Sequence, residues 1–167
     1  MTGSADTTDI PAAIGLDGRV AQISRSRTIA AAPQRVWEVL ADFGALSSWA
    51  DNVDHSCLLQ HGPGGPAVGT TRRVQVGRDT LVERITDIHE PDALAYDIEG
   101  LPRRVHRVAN RWQLQPDGAS TGVTLTTTVE IGANPLAGVA ERALCRFMAR
   151  QSDTMLAGLA ARVEGSE

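Results

Sequence analysis

The sequence predicts an α+β domain in which a curved antiparallel sheet of about seven strands wraps around one long C-terminal helix, with two short helices after the first strand. Three observations carry this expectation. After residue 50, six segments of alternating apolar and polar character follow one another: "NVDHSCLLQ", "VGTTRRVQVG", "DTLVERITDIHE", "ALAYDIEG", "RRVHRVANRWQLQP" and "STGVTLTTTVEIG". Only short Gly-, Pro- and Asp-rich punctuation separates them, which suits an antiparallel meander. One long run of helix formers, "NPLAGVAERALCRFMARQSDTMLAGLAARV", closes the chain. An amphipathic sheet face and an amphipathic helix each need cover, and here each is the obvious cover for the other.

Taken in order, residues 1–18 are polar and aperiodic and read as a loose tail, with a single domain from residue 19 to 167. "RVAQISRSRTIAA" alternates as a strand. "APQRVWEVLAD" places Pro33 at a helix start and Val36, Val39 and Leu40 on one face; "FGALSSWAD" is a second short helix or turn. "HGPGGPAVG" has the composition of a hairpin loop. In the terminal helix Asn134 is the expected N-cap and Pro135 the first helical residue, with Leu136, Ala140, Ala143, Phe147, Gln151, Met155 and Leu159 near helical spacing.

Composition narrows the function classes. Of 167 residues, 42% are hydrophobic and 22% charged, the proportions of a chain that folds. The formal net charge of −4 opposes attraction to nucleic acid or to anionic lipid surfaces. Every basic residue is arginine, as a GC-rich, actinobacterial genome would give. No apolar run is long enough to span a bilayer, and the acidic start is unlike a signal peptide, so a cytoplasmic protein without membrane insertion is expected. Cys57 and Cys145 read as reduced, half-apolar side chains. There is no G-x-S-x-G, no Gly-rich phosphate loop and no H-E-x-x-H, and His55, His61, His89 and His106 lack zinc-ligand spacing; no cofactor or metal is implied.

Three of the six aromatic residues, Trp37, Phe43 and Trp49, fall in "RVWEVLADFGALSSW". The longer stretch "APQRVWEVLADFGALSSWADNV" resembles the opening of the START-like (Bet v 1-type) superfamily, whose architecture is the helix-grip fold, and in particular its bacterial polyketide cyclase/dehydrase and lipid-transport branch. "VGTTRRVQV", "VERITDIHEPDALAYDI" and "RWQLQPDGASTGVTLT" follow the family's G-x-x-R-x-V, E-R-I-x-x-x-x-x-P-x-x-L-x-Y and W-x-L-x-P-x-G patterns, so the resemblance spans roughly residues 20 to 160. Plant abscisic-acid receptors look like more distant relatives.

The resemblance implies a ligand cavity between sheet and helix, closed at one end by the short helices. Trp49 and Phe43 would plug or line that end, against the alternative of plain core packing. Strand alternation anchored on the resemblance turns Arg104, His106, Val108, Asn110, Trp112 and Leu114 toward the helix and leaves Arg103, Arg107 and Arg111 in a solvated outer row. Glu83 corresponds to the family's pocket-facing acid, with Leu81 and Ile85 on the same face and Arg72 as its natural partner beside Val74. A structural ion pair and a polar anchor for a ligand are both open readings. His106 is a candidate acid/base, or else a hydrogen-bonded wall residue. Leu144, Phe147, Met148, Gln151 and Met155 are the helix's expected contribution, and the Gln151 amide needs a partner that a ligand could supply. The expected partner is thus a small hydrophobic or amphipathic molecule such as a lipid, polyketide or isoprenoid. The alternatives are a polyketide cyclase, aromatase or dehydratase using His106 or Glu83, and a regulatory protein recognised through a loop.

Overall fold

The structure is a computed structural model that describes residues 20–101, 103, 105–131 and 137–165, without the side chains of 137–142 and 144. The expected tail, Asn134 and Pro135 lie outside the described residues. The elements are β1 (Val20–Ile29), α1 (Pro33–Ala41), a 3₁₀ helix (Phe43–Ser48), β2 (His55–Gln60), β3 (Thr71–Val76), β4 (Asp79–His89), β5 (Ala93–Glu99), β6 (Val105–Asp117), β7 (Ser120–Ile131) and α2 (Ala137–Glu164). The seven strands form one antiparallel sheet in the order β1-β7-β6-β5-β4-β3-β2, so the first strand pairs with the last and the intervening chain is a meander. This is the expected helix-grip architecture.

Local chemistry explains the elements. Pro33 starts α1, whose Val36, Trp37 and Leu40 are buried on one face. The Pro-Asp-Gly turn between β6 and β7 relies on Gly118, whose φ of 60° is open to glycine at no steric cost. On the outer face the arginine row is paired across strands. Arg107 donates two hydrogen bonds to Asp97 at 2.8 and 2.9 Å, and Arg111 donates to Asp87 at 2.9 Å. These surface pairs are worth little individually, but they occupy the cations that an anion site would need.

Register arranges the inner face in rows across the sheet. Glu83, Ile98, Val108 and Val129 stand in one row; Ile85, Tyr96, Asn110 and Thr127 in the next; Leu94, Trp112 and Leu125 beyond them; and Leu114 with Val123 last. The last two rows are solid core. Trp112 is 1% exposed and meets Trp49 edge-on at 6.1 Å between ring centroids.

Helix α2 docks on this filled end. Leu156, Leu159, Ala160 and Val163 are buried with Ile29, Val36, Trp37 and Leu40. Arg25 on β1 holds Asp153 through two hydrogen bonds of 2.7 and 2.8 Å. Gly158 sits directly against the backbone of Trp49, where a Cβ would stand 2.0 Å from the Trp49 carbonyl oxygen. No described helix is long and apolar enough to cross a membrane. The contact at Gly158 leads to an expected outcome: Gly158→Ala overpacks the helix–loop seam and lowers stability by about 1–3 kcal/mol or more, whereas Gly64→Ala, with open space around it, changes little. Thermal or urea unfolding of the two variants checks this.

Candidate functional site

Toward the N-terminal half of α2 the helix and sheet leave a cavity of about 590 Å³. The sheet contributes Val74, Leu81, Glu83, Ile98, Val108, Asn110, Thr127 and Val129; the helix contributes Phe147, Met148, Gln151, Ser152 and Met155; Leu46, Asn52 and Val53 come from the 3₁₀ helix and the segment after it. The inner end is deeply buried: Asn110 is 7% exposed, Thr127 4% and Ser152 2%. At the outer end Phe147 is 59% exposed and Val76 36%, so this end meets solvent.

The buried polar groups form two systems. Thr127 Oγ1 donates to Asn110 Oδ1 at 2.7 Å, and Asn110 Nδ2 donates to the Tyr96 hydroxyl at 3.2 Å. Ser152 Oγ lies 3.5 Å from Thr127 Oγ1. The second system is the buried ion pair of Arg72 with Glu83. Arg72 Nε and Nη2 both reach Glu83 Oε2, at 2.6 and 2.5 Å, while Nη1 donates to the Phe43 carbonyl at 2.8 Å. The guanidinium also stacks 3.9 Å from the Phe43 ring centroid and 4.9 Å from that of Tyr96. Burial, and then the charge of Glu83, push the Tyr96 phenol above its ordinary value. Among the described residues no group of His, Cys, Asp and Glu is placed to hold a metal ion.

The model of the family described as polyketide cyclase/dehydrase and lipid transport matches residues 20–164. The chain belongs to that family. No curated protein matches it. Among solved structures, a START superfamily protein from Mycobacterium smegmatis is similar over 87% of this chain and 99% of its own, with 17% identity and a TM-score of 0.72. The ZhuI aromatase/cyclase from a Streptomyces species is similar over 87% and 94%, with 21% identity and a TM-score of 0.72. The di-domain aromatase/cyclase StfQ of steffimycin biosynthesis is similar over 89% of this chain and 52% of its own, with 16% identity and a TM-score of 0.74. At these identities the likeness is one of fold.

In this family member the residues singled out in the sequence divide four ways. Val74, Leu81, Glu83, Val108, Asn110, Phe147, Met148, Gln151 and Met155 line the cavity. Phe43, Trp49, Arg72, Ile85 and Trp112 are buried but stand outside the lining. Trp49 and Trp112 brace each other in the solid core, and Phe43 packs edge-on against Tyr96 at 5.6 Å. Leu144 has no described side chain. His106 is a correction to the expected alternation. The register steps from Val105↔Ile131 to Arg107↔Glu130, a β-bulge at His106 that leaves its side chain exposed. Val105 therefore lines the cavity where simple alternation faces it outward, and His106 holds no position for acid/base chemistry inside. Gln151 likewise needs no ligand to satisfy its carbonyl oxygen, which accepts from Asn52 Nδ2 at 2.5 Å.

Sequence reasoning did not reach Asn52, Thr127 or Ser152. A signal existed for Thr127: it is the polar member of the set Val123, Leu125, Thr127, Val129 on one strand face.

The buried phenol gives a pH signature. Tyr96 is the one tyrosine, and the sequence has no lysine, so above pH of about 10 its titration is separated from those of the other side chains. Because the folded pKa is raised, the unfolded state loses its proton first, and stability present below pH of about 10 falls as pH rises toward the folded value. Urea unfolding at a series of alkaline pH values should show that decline, and Tyr96→Phe should flatten it. A wild-type curve as flat as the variant's refutes the burial of a neutral phenol.

Proposed function

We propose that the protein binds a small hydrophobic or amphipathic molecule, of the size and polarity of a lipid, polyketide or isoprenoid, in the cavity between the sheet and α2. The observation that carries this reading is the hollow itself: about 590 Å³ of space, mainly apolar, with a few polar groups at defined points. That volume lies within the roughly 300–1,000 Å³ of typical small-molecule sites. Each 100 Å² of apolar ligand surface buried there contributes roughly 2.5 kcal/mol, and the polar groups set orientation. The adaptable Met148 and Met155 in the helix wall suit an irregular guest. The family description, which covers both polyketide cyclisation and lipid transport, agrees with this ligand class.

A second reading, catalysis of a polyketide-type cyclisation or dehydration, is favoured by one feature: Glu83 places a carboxylate on the cavity wall. In that reading Glu83 accepts a proton from the bound substrate while the walls fold it. The two readings separate on turnover: under the second the wild type converts a polyketide-like substrate and Glu83→Gln abolishes that conversion, whereas under the first the wild type binds such a molecule and returns it unchanged.

Binding is tested by native mass spectrometry of protein purified from its own host, which should show a co-purifying small molecule. In parallel, the neutral fluorophore N-phenyl-1-naphthylamine should bind the wild type. The double variant Val108→Trp/Val129→Phe, which puts two rings into the hollow, should weaken that binding at least about tenfold with the secondary structure unchanged by circular dichroism. A protein that is always empty and a probe indifferent to the filled cavity would defeat the proposal.

A further inference from the structure

The charged side chains described in the cavity lining have one sign. Among its described lining residues the charged side chains are Asp79 and Glu83, and there is no arginine or histidine. Arg72 is the cation in contact with Glu83, yet it stands behind the wall, outside the lining, with its side chain 3% exposed. Its donors are directed to Glu83 Oε2 and the Phe43 carbonyl, and its faces to Phe43 and Tyr96. Reaching an anion in the cavity would require it to give up those contacts.

Glu83 is asymmetric. Both Arg72 hydrogen bonds end on Oε2, and Oε1 accepts none among the described residues, although the side chain is only 7% exposed. A carboxylate oxygen that faces the cavity and has no donor among the described residues is an open acceptor. The inner end beyond it, formed by Asn110, Thr127 and Ser152, is hydroxyl and amide and carries no formal charge.

These features discriminate between head groups. A carboxylate or phosphate entering here would lose its hydration and find no cation among the described lining residues to replace it, since Arg72 is already engaged with Glu83. An ammonium would also lose hydration, in exchange for a carboxylate already compensated by Arg72. A hydroxyl is far cheaper to desolvate; it donates to Oε1 and keeps lone pairs for the amide and hydroxyls of the inner end.

We propose that the cavity selects uncharged amphipaths bearing a hydroxyl group, aliphatic or phenolic, which is seated inward and donates to Glu83 Oε1, and that it rejects anionic molecules with the same apolar body. This rests on the reading of the cavity as a ligand site and narrows it to a head-group class.

The test is displacement of N-phenyl-1-naphthylamine from the full-length protein, at neutral pH, by decan-1-ol, decanoate and decylammonium, which share one chain and differ in the head. Decanol should displace the probe at a concentration at least about tenfold lower than either ion. Glu83→Gln, which removes the like charge, should bring decanoate closer to decanol by about threefold or more. Decanoate or decylammonium matching decanol overturns the proposal, as does a bound probe that decanol fails to displace; in both cases the cavity remains a ligand site. A probe that never binds, with all three chains inert, removes both readings together. Should Glu83→Gln not fold, the wild-type ranking alone decides the outcome; a folded variant with an unchanged ranking overturns the role of Glu83.

Discussion

Docking α2 at one end of the sheet is the constraint from which the rest of the structure follows. Gly158 has no side chain, so the helix approaches the Trp49 carbonyl more closely than any Cβ would permit, and Leu159, Ala160 and Val163 lock the same stretch onto α1 and the filled rows of the sheet. A 28-residue helix is about 42 Å long, and a curved sheet falls away beneath such a rod. Pinned at Gly158, the helix stands clear of the sheet about three turns earlier. Closing the gap would take large inward side chains there. Among the described side chains the helix offers Phe147, which is mostly exposed, and Met148, Gln151 and Ser152, which are too slender to fill it.

The buried ion pair has to be understood against that hollow. Removing two charges from water costs several kcal/mol per ion, and an apolar pair of similar volume is commonly as stable or more so, so the pair is poorly explained as a source of stability. What it provides is position. The planar guanidinium ties β3 to β4 through Glu83, to the 3₁₀ helix through the Phe43 carbonyl, and to the Phe43 and Tyr96 rings by stacking. The wall, the short helix that abuts it and the buried phenol are thereby held by one residue, and one carboxylate is fixed where a ligand would pass.

The sheet was legible because its signals are local and repeated. Alternation in each segment and Gly, Pro and Asp between segments specify hairpins, and hairpins specify antiparallel neighbours. The Arg72–Glu83 pair was legible through the family resemblance, which marks Glu83 as the pocket-facing acid, and the register of β3 on β4 sets the two opposite each other. The losses fall where one residue breaks a period or where packing across the chain decides. At His106 a bulge inserts one residue, and the face assignment of Val105 reverses; nothing in "RRVHRVANRWQL" marks that insertion. For Trp49 the sequence offers a large aromatic near the cavity's end but not the position of Trp112, which is what commits it to the core. Asn52 lies in a turn with no period at all, and its link to Gln151 spans 99 residues.

The polar residues of the cavity fall into two kinds, and the difference bears on how a guest would come and go. Asn110, Thr127 and Tyr96 satisfy one another, so the inner end loses no hydrogen bond when empty. Had those groups depended on a ligand, the empty protein would carry unpaired buried polar atoms, and binding would be coupled to folding. Glu83 differs, because its second oxygen has no donor among the described residues and a guest can supply one. Asn52 Oδ1, also on the lining, is a buried acceptor without a partner as well. A site whose inner hydroxyls and amide are paired among themselves while acceptors on its wall stay open can stand empty as a folded protein and still prefer a guest with a donor.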